Sequence, residues 1–361
     1  MKKASLQLTG IIALSLLSFA PAAVHAADPY KILNTAQFMG TGGLDYVYAD
    51  NDGRRLYIPR GSSVLAFNLD TLETAGSITN ARARGAAVDA KSHHGFASSK
   101  PVVMWDSRTL ETIKTIDVQG NPDGILFEPF TERVYVLSHT APNVTVIDAK
   151  DGTVVGTIDL GGAPEQGQSD GMGHVYIDVE DKANVAVVDA KTLQVTAHYD
   201  LSSKATTPAG LALDIKNHIL FAMCRNQPTC VVLDANDGKI LASLLLAGGS
   251  DGAVFYPVTM EAFSSHGNGT LSVIKEISPT SFEIEQTVTT KSGSKTLTLD
   301  SKNNHVIVIT TEAAPAGTVA AAPAVTPPAA TPPADQPAGG RRGGRGGNNG
   351  PSMLDIIVVG R

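Results

Sequence analysis

Short apolar runs, rich in β-branched residues, recur along this chain and are separated by Gly, Pro, Asn or Asp. One unit contains four of them, at residues 123–128, 133–138, 144–148 and 154–158. Runs of four to eight β-branched residues bounded by turn residues are typical of β-strands. The unit therefore predicts four short strands joined by tight turns.

The four-strand unit repeats along the chain. Its third run ends at residues 70, 106, 148, 189, 234 and 275, so successive units lie 36 to 45 residues apart. A period near 40 residues with four strands in each unit is typical of a β-propeller, in which every unit forms one blade. Six complete units are visible in the sequence. The aspartates that end the third runs are predicted to cap the following turns.

A seventh unit is split between the two ends of the sequence. Residues 296–299, 305–309 and 353–360 supply three strands, and residues 30–38 form a strand with no hairpin partner. Pairing this N-terminal strand with residues 353–360 would complete the blade and remove a free sheet edge. We therefore predict an all-β, seven-bladed propeller over residues 27–361, with four antiparallel strands in each blade and the last blade closed by the N-terminal strand.

Several segments resemble one known group of propellers. They are Tyr135-Val136 with Val144–Asp148, Gly162–Glu165 with Asp170–Tyr176, Cys224–Asn226, and the terminal residues 356–361. Together they are similar to the YVTN-repeat, YncE-like periplasmic propellers, and the resemblance covers residues 30–361. It implies a periplasmic seven-bladed propeller. It implies no reaction, because most members of this family have none assigned.

Residues 1–26 have the pattern of a secretory signal peptide. Lys2 and Lys3 precede an apolar stretch, and small residues lead to a cleavage position near Ala26. We therefore expect a periplasmic or secreted protein, soluble, monomeric and without a transmembrane segment. Loss of the two lysines would change the formal charge from −7 to −9. Nucleic acid is then an improbable partner, because affinity for phosphate depends on Lys and Arg.

Residues 313–352 differ in composition from the rest of the chain. Ala, Pro and Thr are followed by an Arg-Gly segment that contains Arg341, Arg342 and Arg345. Such a composition cannot bury a core, so we expect a disordered insertion within the last blade. It is interpreted as a tolerated surface insertion, with a tether or lid over the channel as the alternative.

Charged residues recur at the position that leads into the first strand of each blade. Aligning the units places there Asp45, Arg84, Asp123, Glu165, Ala209, Asp251 and Lys295. In a propeller these positions surround the channel, and converging charges of both signs indicate a binding site. The alternative is that three of the acids only form turns, as Asp-Gly often does. Arg and Lys at the same position favour a site.

Loops between second and third strands are predicted to lie beside these positions. Their candidate ligand-binding residues are Arg60, His139, Arg225, Asn226 and His266. The candidate metal ligands are Asp45, Asp123, Glu165 and Asp251, since a divalent cation such as Ca²⁺ accepts several flexible oxygen ligands. A divalent cation is thus the only candidate cofactor, because the sequence has no Cys-x-x-Cys or Cys-x-x-Cys-His motif.

The only two cysteines, Cys224 and Cys230, flank a predicted turn. An exported protein reaches a compartment in which disulfides form. We therefore expect a disulfide between these two residues.

Three functions remain open from the sequence. The first is a non-catalytic propeller that binds a small ligand, an ion or a partner on its channel face. The second is a metal-dependent, lactonase-like hydrolase that uses the four carboxylates. The third is a surface or nucleic-acid interaction module that acts through the Arg-Gly segment, whose binding would weaken with salt. Fold resemblance does not decide among them, because function depends on the site.

Overall fold

A computed structural model describes residues 28–314 and 350–361. The predicted signal peptide, and most of the predicted insertion with its three arginines, lie outside the described residues. The described residues form seven separate four-stranded antiparallel sheets. This arrangement confirms the predicted all-β fold of seven blades with four strands each.

The strands follow the blades in chain order. Blade 1 contains β2 (Tyr48–Asp50), β3 (Arg55–Arg60), β4 (Ser63–Asn68) and β5 (Thr74–Ile78). Blade 2 contains β6 (Ala86–Asp89), β7 (His94–Ala97), β8 (Val102–Asp106) and β9 (Thr112–Ile116). Blade 3 contains β10 (Pro122–Glu128), β11 (Arg133–Ser138), β12 (Val144–Asp148) and β13 (Val154–Ile158).

The remaining blades continue this order. Blade 4 contains β14 (Pro164–Ser169), β15 (His174–Val179), β16 (Asn184–Asp189) and β17 (Gln194–Asp200), with a 3₁₀ turn at Glu180–Lys182. Blade 5 contains β18 (Thr206–Asp214), β19 (Ile219–Asn226), β20 (Thr229–Asp234) and β21 (Ile240–Leu245). Blade 6 contains β22 (Ser250–Tyr256), β23 (Glu261–His266), β24 (Thr270–Ser278) and β25 (Ser281–Thr289).

Blade 7 joins the two ends of the sequence. It contains β26 (Thr296–Asp300), β27 (His305–Ala313), β28 (Pro351–Gly360) and, as its outer strand, β1 (Lys31–Thr41). Lys31 lies opposite Gly360 in the antiparallel ladder of β1 and β28. The predicted closure by the N-terminal strand is confirmed. The flanking strands extend to Ala313 and from Pro351, so they include the edges of the predicted insertion.

Apolar side chains hold the blades against one another. Seven buried clusters occur in the described residues, and each lies between two adjacent blades. The third strands are buried on both faces, whereas outer strands such as β25 alternate between exposed and covered residues. The outer strand forms the outside of the propeller and faces water, whereas the third strand is covered on both faces by the neighbouring blades. Among the described residues, no helix has the length and apolar character of a membrane span.

Aspartates at the ends of third strands form turns, as predicted, except in blade 1, where Asn68 caps the turn and Asp70 binds Arg54. Asp106 accepts hydrogen bonds from the backbone N–H groups of Arg108 and Thr109, and Asp189 accepts them from Lys191 and Thr192. These carboxylates stabilise the hairpins between third and fourth strands.

The predicted disulfide is not present, and both cysteines are free thiols. Cys224 lies opposite Thr229 and Cys230 lies opposite Met223 in the ladder of β19 and β20. The cysteines therefore occupy successive cross-strand positions, and their side chains point to opposite faces of the blade. Cys224 packs between blades 4 and 5, and Cys230 between blades 5 and 6. Burial raises the pKa of the Cys224 thiol to about 12.

Candidate functional site

The loops that enter the first strands and those that join second to third strands lie on one face, here called the upper face. The six charged residues predicted from the repeat line a single cavity of about 160 Å³ on this face. They are Asp45, Arg84, Asp123, Glu165, Asp251 and Lys295. The seventh position, Ala209, is buried and does not line the cavity.

Four acids and four bases alternate around this cavity in a closed cycle, here called the charged ring. Its first half begins in blade 1. Arg84 binds Asp45 at 2.8 Å and Asp123 at 3.1 Å. His139 Nε2 then lies 3.3 Å from Asp123 and 3.4 Å from Glu165. Each base thus bridges two carboxylates.

The second half of the charged ring returns to blade 1. Arg225 lies 3.3 Å from Glu165 and 2.5 Å from Asp251. Lys295 lies 3.0 Å from Asp251 and 3.2 Å from Asp45, which completes the cycle. The charged ring therefore crosses every one of the seven blade boundaries. Its ion pairs link neighbouring blades, and its side chains also form the wall of the cavity.

An aromatic residue, Tyr46, closes the cavity from below. Its hydroxyl crosses from blade 1 to blade 4 and donates a hydrogen bond of 3.1 Å to Glu165 Oε2. Burial, followed by the charge of Glu165, raises the pKa of Tyr46 well above its usual value. Tyr46 therefore keeps its proton and holds the carboxylate of Glu165 in place.

Gln166 performs a similar role lower in the channel. Its side-chain oxygen accepts hydrogen bonds from the backbone N–H groups of Leu211 and Ala253, at 3.0 and 2.9 Å. Its amide nitrogen donates to the Ala253 carbonyl at 2.8 Å. Blades 4, 5 and 6 are thereby joined by one side chain.

Two other polar residues near the cavity were not predicted. Asn121 lines it, and Glu180 binds Arg225 Nη1 at 2.6 Å from the 3₁₀ turn of blade 4. Neither occupies the repeat position that identified the charged ring. Asn121 lies two residues before Asp123 in the same loop, which is the only sequence signal for it.

His139 and Arg225 lie in the charged ring, as predicted, but three other loop candidates do not. Arg60 is buried and donates hydrogen bonds to the Phe38 carbonyl and to Ser352, so it joins blade 1 to blade 7. His266 is buried between Ser264 and Thr270, and burial lowers its pKa to about 4. These two side chains lie in strand ladders and pack within or between blades, because β3 and β23 extend further than the sequence indicated.

Asn226, the third of these candidates, also lies away from the cavity. It is exposed, and its backbone N–H donates to Thr207 Oγ1. The residue follows Arg225 directly, and successive strand residues point to opposite faces. Only Arg225 is therefore directed into the charged ring.

The four predicted metal ligands do not form one cluster. Bases separate Asp45, Asp123, Glu165 and Asp251 from one another around the charged ring. Within the described ranges, the one group with metal-ligand spacing is Asp123, His139 and Glu165, whose ligand atoms lie within 4.8 Å of one another. Its imidazole is protonated, since hydrogen bonds to Asp123 and Glu165 raise the pKa of His139 to about 10. A metal would have to displace that proton.

Another acid, Asp178, lies outside the charged ring but interacts electrostatically with Glu165. The side chain is fully buried, and neither carboxyl oxygen has a hydrogen-bond partner in the described part of the chain. Burial, followed by the charge of Glu165, raises the pKa of Asp178 well above its usual value. The folded protein therefore favours the neutral acid form of this group.

The raised pKa of His139 predicts a pH dependence of folding. The stabilisation from its proton is fully present below pH 6.5, the ordinary pKa, and is lost as the pH rises to about 10. We expect the free energy of unfolding to fall more steeply over this range in the wild type than in His139→Gln, as measured by urea unfolding. His198→Gln is the matched control, because this exposed imidazole contacts Asn184 and, among the residues that the structure describes, no carboxylate. Parallel profiles for the wild type and His139→Gln would contradict the prediction.

Comparison with known proteins supports the fold alone. No protein-family model and no curated protein matches the sequence. The WD40 repeats of RRP9 superpose with a TM-score of 0.65 at 11% identity, over 89% of this chain and 97% of theirs. A chain of Kuenenia stuttgartiensis hydrazine synthase gives 0.63 at 14% identity, over 74% and 92%. A chain of the mitotic checkpoint complex gives 0.66 at 10% identity, over 83% and 95%. At these low identities the similarity concerns the architecture of the chain and not its function.

Proposed function

We propose that this protein is an exported, monomeric propeller of the YVTN-repeat type that binds a small polar ligand in the cavity of the charged ring. The observation that carries the proposal is the convergence of eight ionisable side chains on one cavity of about 160 Å³. Rigid blades present these groups at little entropic cost, which favours binding. Export rests on the pattern of residues 1–26, and the family rests on the repeat residues.

The cavity also indicates how large the ligand is. Drug-sized ligands occupy pockets of about 300 to 1,000 Å³, so 160 Å³ suits a compact molecule. Asn121 and the charged ring supply donors and acceptors, whereas Tyr46 supplies the one aromatic surface. A compact, hydrogen-bonding ligand fits this lining better than an apolar one.

Filling the cavity tests this proposal without breaking any ion pair. Thermal unfolding would be followed with inorganic phosphate, succinate, glycine betaine, Ca²⁺, Mg²⁺ and Zn²⁺. A ligand at a hundred times its dissociation constant should add about 2.7 kcal/mol of stability. We expect one of these classes to stabilise the wild type but not Asn121→Phe, whose ring would occupy the cavity. Gln119→Phe is the matched control, since Gln119 lies two residues away and does not line the cavity.

Two results would contradict the proposal. One is a wild-type protein that none of the six compounds stabilises. The other is stabilisation that persists unchanged in Asn121→Phe, because binding would then occur elsewhere.

A metal-dependent hydrolase is the second candidate. It is favoured by the spacing of Asp123, His139 and Glu165. In the same measurement it predicts stabilisation by a divalent cation and loss of that effect in Asp123→Asn. The Arg-Gly interaction module rests on residues outside the described ranges, and no observation of the structure favours it.

A further inference from the structure

The bases of the charged ring face the solvent more than its acids do. Their side chains are between 32% and 53% exposed, whereas the acids are only 6% to 18% exposed. The four bases are Arg84, His139, Arg225 and Lys295. A ligand that enters the cavity from the upper face therefore meets positive charge first.

The bases also have hydrogen-bond donors that their carboxylate partners do not use. Arg84 uses Nη1 and Nε for its two carboxylates, and Nη2 has no acceptor in the described residues. Lys295 has three N–H donors and binds two carboxylates. His139 contacts both of its carboxylates through Nε2, so neither of them occupies Nδ1.

The acids, in contrast, are already supplied with donors. Glu165 lies against His139 and Arg225 and accepts the Tyr46 hydroxyl. Asp45 is held by Arg84 and Lys295. A cation would have to pass the exposed bases and displace them from these carboxylates, which costs the ion pairs that close the charged ring.

On this asymmetry, and building on the proposed binding function, we infer that the ligand is a small oxyanion. Its oxygens accept hydrogen bonds from Arg84, His139 and Lys295. Arg84 shares Asp45 with Lys295 and Asp123 with His139, and all three bases line the same cavity, so a compact anion can contact them together. The charge-assisted hydrogen bonds that Arg donates to carboxylate and phosphate groups are stronger than hydrogen bonds between neutral groups.

The inference is tested by isothermal titration calorimetry on the purified protein, with inorganic phosphate and succinate as separate probes at constant chloride concentration. We expect at least one probe to bind with 1:1 stoichiometry, and Arg84→Gln to weaken it at least tenfold. Arg82→Gln removes the same charge two residues away, outside the cavity lining, and should leave the affinity within about twofold. The preferred probe then distinguishes a phosphate ligand from a carboxylate ligand.

Three outcomes would overturn the inference. Equal weakening in Arg82→Gln and Arg84→Gln would show attraction by net charge without a site. Binding of glycine betaine or Ca²⁺ in place of both anions would overturn the oxyanion class but leave the proposed cavity function intact. No binding of any of these probes would contradict both.

Discussion

Replacing Asp178 with asparagine is expected to raise the free energy of unfolding at pH 7.5 by about 2 kcal/mol, the scale of an unsatisfied buried polar group. Neither carboxyl oxygen has a partner in the described part of the chain, so folding favours the protonated form of the group. Its pKa is therefore raised in the folded state, mainly by burial. Stability from such a group is present below its unfolded pKa and is lost as the pH rises.

The repeat indicates which backbone carbonyl a donor at position 178 could reach. Ser98 and Ser265 occupy the same place as Asp178, four residues after the residue that opens the second strand. Each serine donates to a carbonyl at the ring position of the next blade, Asp123 at 2.5 Å and Lys295 at 2.8 Å. The corresponding carbonyl for Asp178 is that of Ala209. An asparagine N–H can donate to this carbonyl at any pH, whereas Asp178 makes no such hydrogen bond.

Urea unfolding of Asp178→Asn and the wild type at pH 4 and pH 7.5 checks this prediction. The difference between the two proteins should be small at pH 4 and large at pH 7.5. Asp117→Asn is the control, because Asp117 is exposed and the substitution should change stability little at either pH. A destabilised Asp178→Asn at pH 7.5 would mean that the carboxylate has a stabilising partner.

Replacing Glu165 with glutamine is expected to destabilise the protein by about 3 kcal/mol, because the neutral amide gives up the charge-assisted contacts that this nearly buried carboxylate makes with His139 and Arg225. The Glu165 side chain is nearly inaccessible and lies in the charged ring between His139 and Arg225. Its loss would open the ring at the boundaries of blade 4 with both neighbours. The pKa of His139 should also fall from about 10, since one of its two carboxylate partners becomes neutral.

Urea unfolding and an NMR titration of His139 measure the two effects separately. Glu180→Gln is the matched control, because Glu180 also binds Arg225 but is more exposed and touches no other base in the described ranges. We expect a loss below about 1 kcal/mol there, as for exposed ion pairs. Equal losses in the two variants, with an unchanged His139 titration, would show that the ring is not a cooperative unit.

The repeat made most of the fold and much of the site predictable. The period of the strands predicted seven blades. Counting to the equivalent position in each blade predicted the six charged residues that line the cavity. That counting works because each blade places equivalent residues at equivalent distances from the axis. The unpaired run at 30–38 likewise had only one sheet edge available to it.

Predictions that needed side-chain direction were less successful. Arg60, His266 and the cysteine pair depended on where a strand ends and which face a residue occupies, and a shift of one residue reverses the face. Tyr46 was missed, although a signal existed. The residue after the ring position is Gly85, Gly124, Gly210 and Gly252 in four blades, so a tyrosine there marks a side chain that fills the space the glycines leave.

The closure of blade 7 has a mechanical consequence. Lys31 and Gly360 are neighbours at one end of the β1–β28 ladder, so the chain enters and leaves the propeller side by side. Arg361 stacks on the Tyr30 ring at 4.3 Å next to this point. Tension applied between the two positions would first separate that stack and then break the ladder hydrogen bonds one after another, as a zipper opens. The force needed to pull the two positions apart is therefore set by one hydrogen bond at a time, although the complete β1–β28 ladder contains many hydrogen bonds.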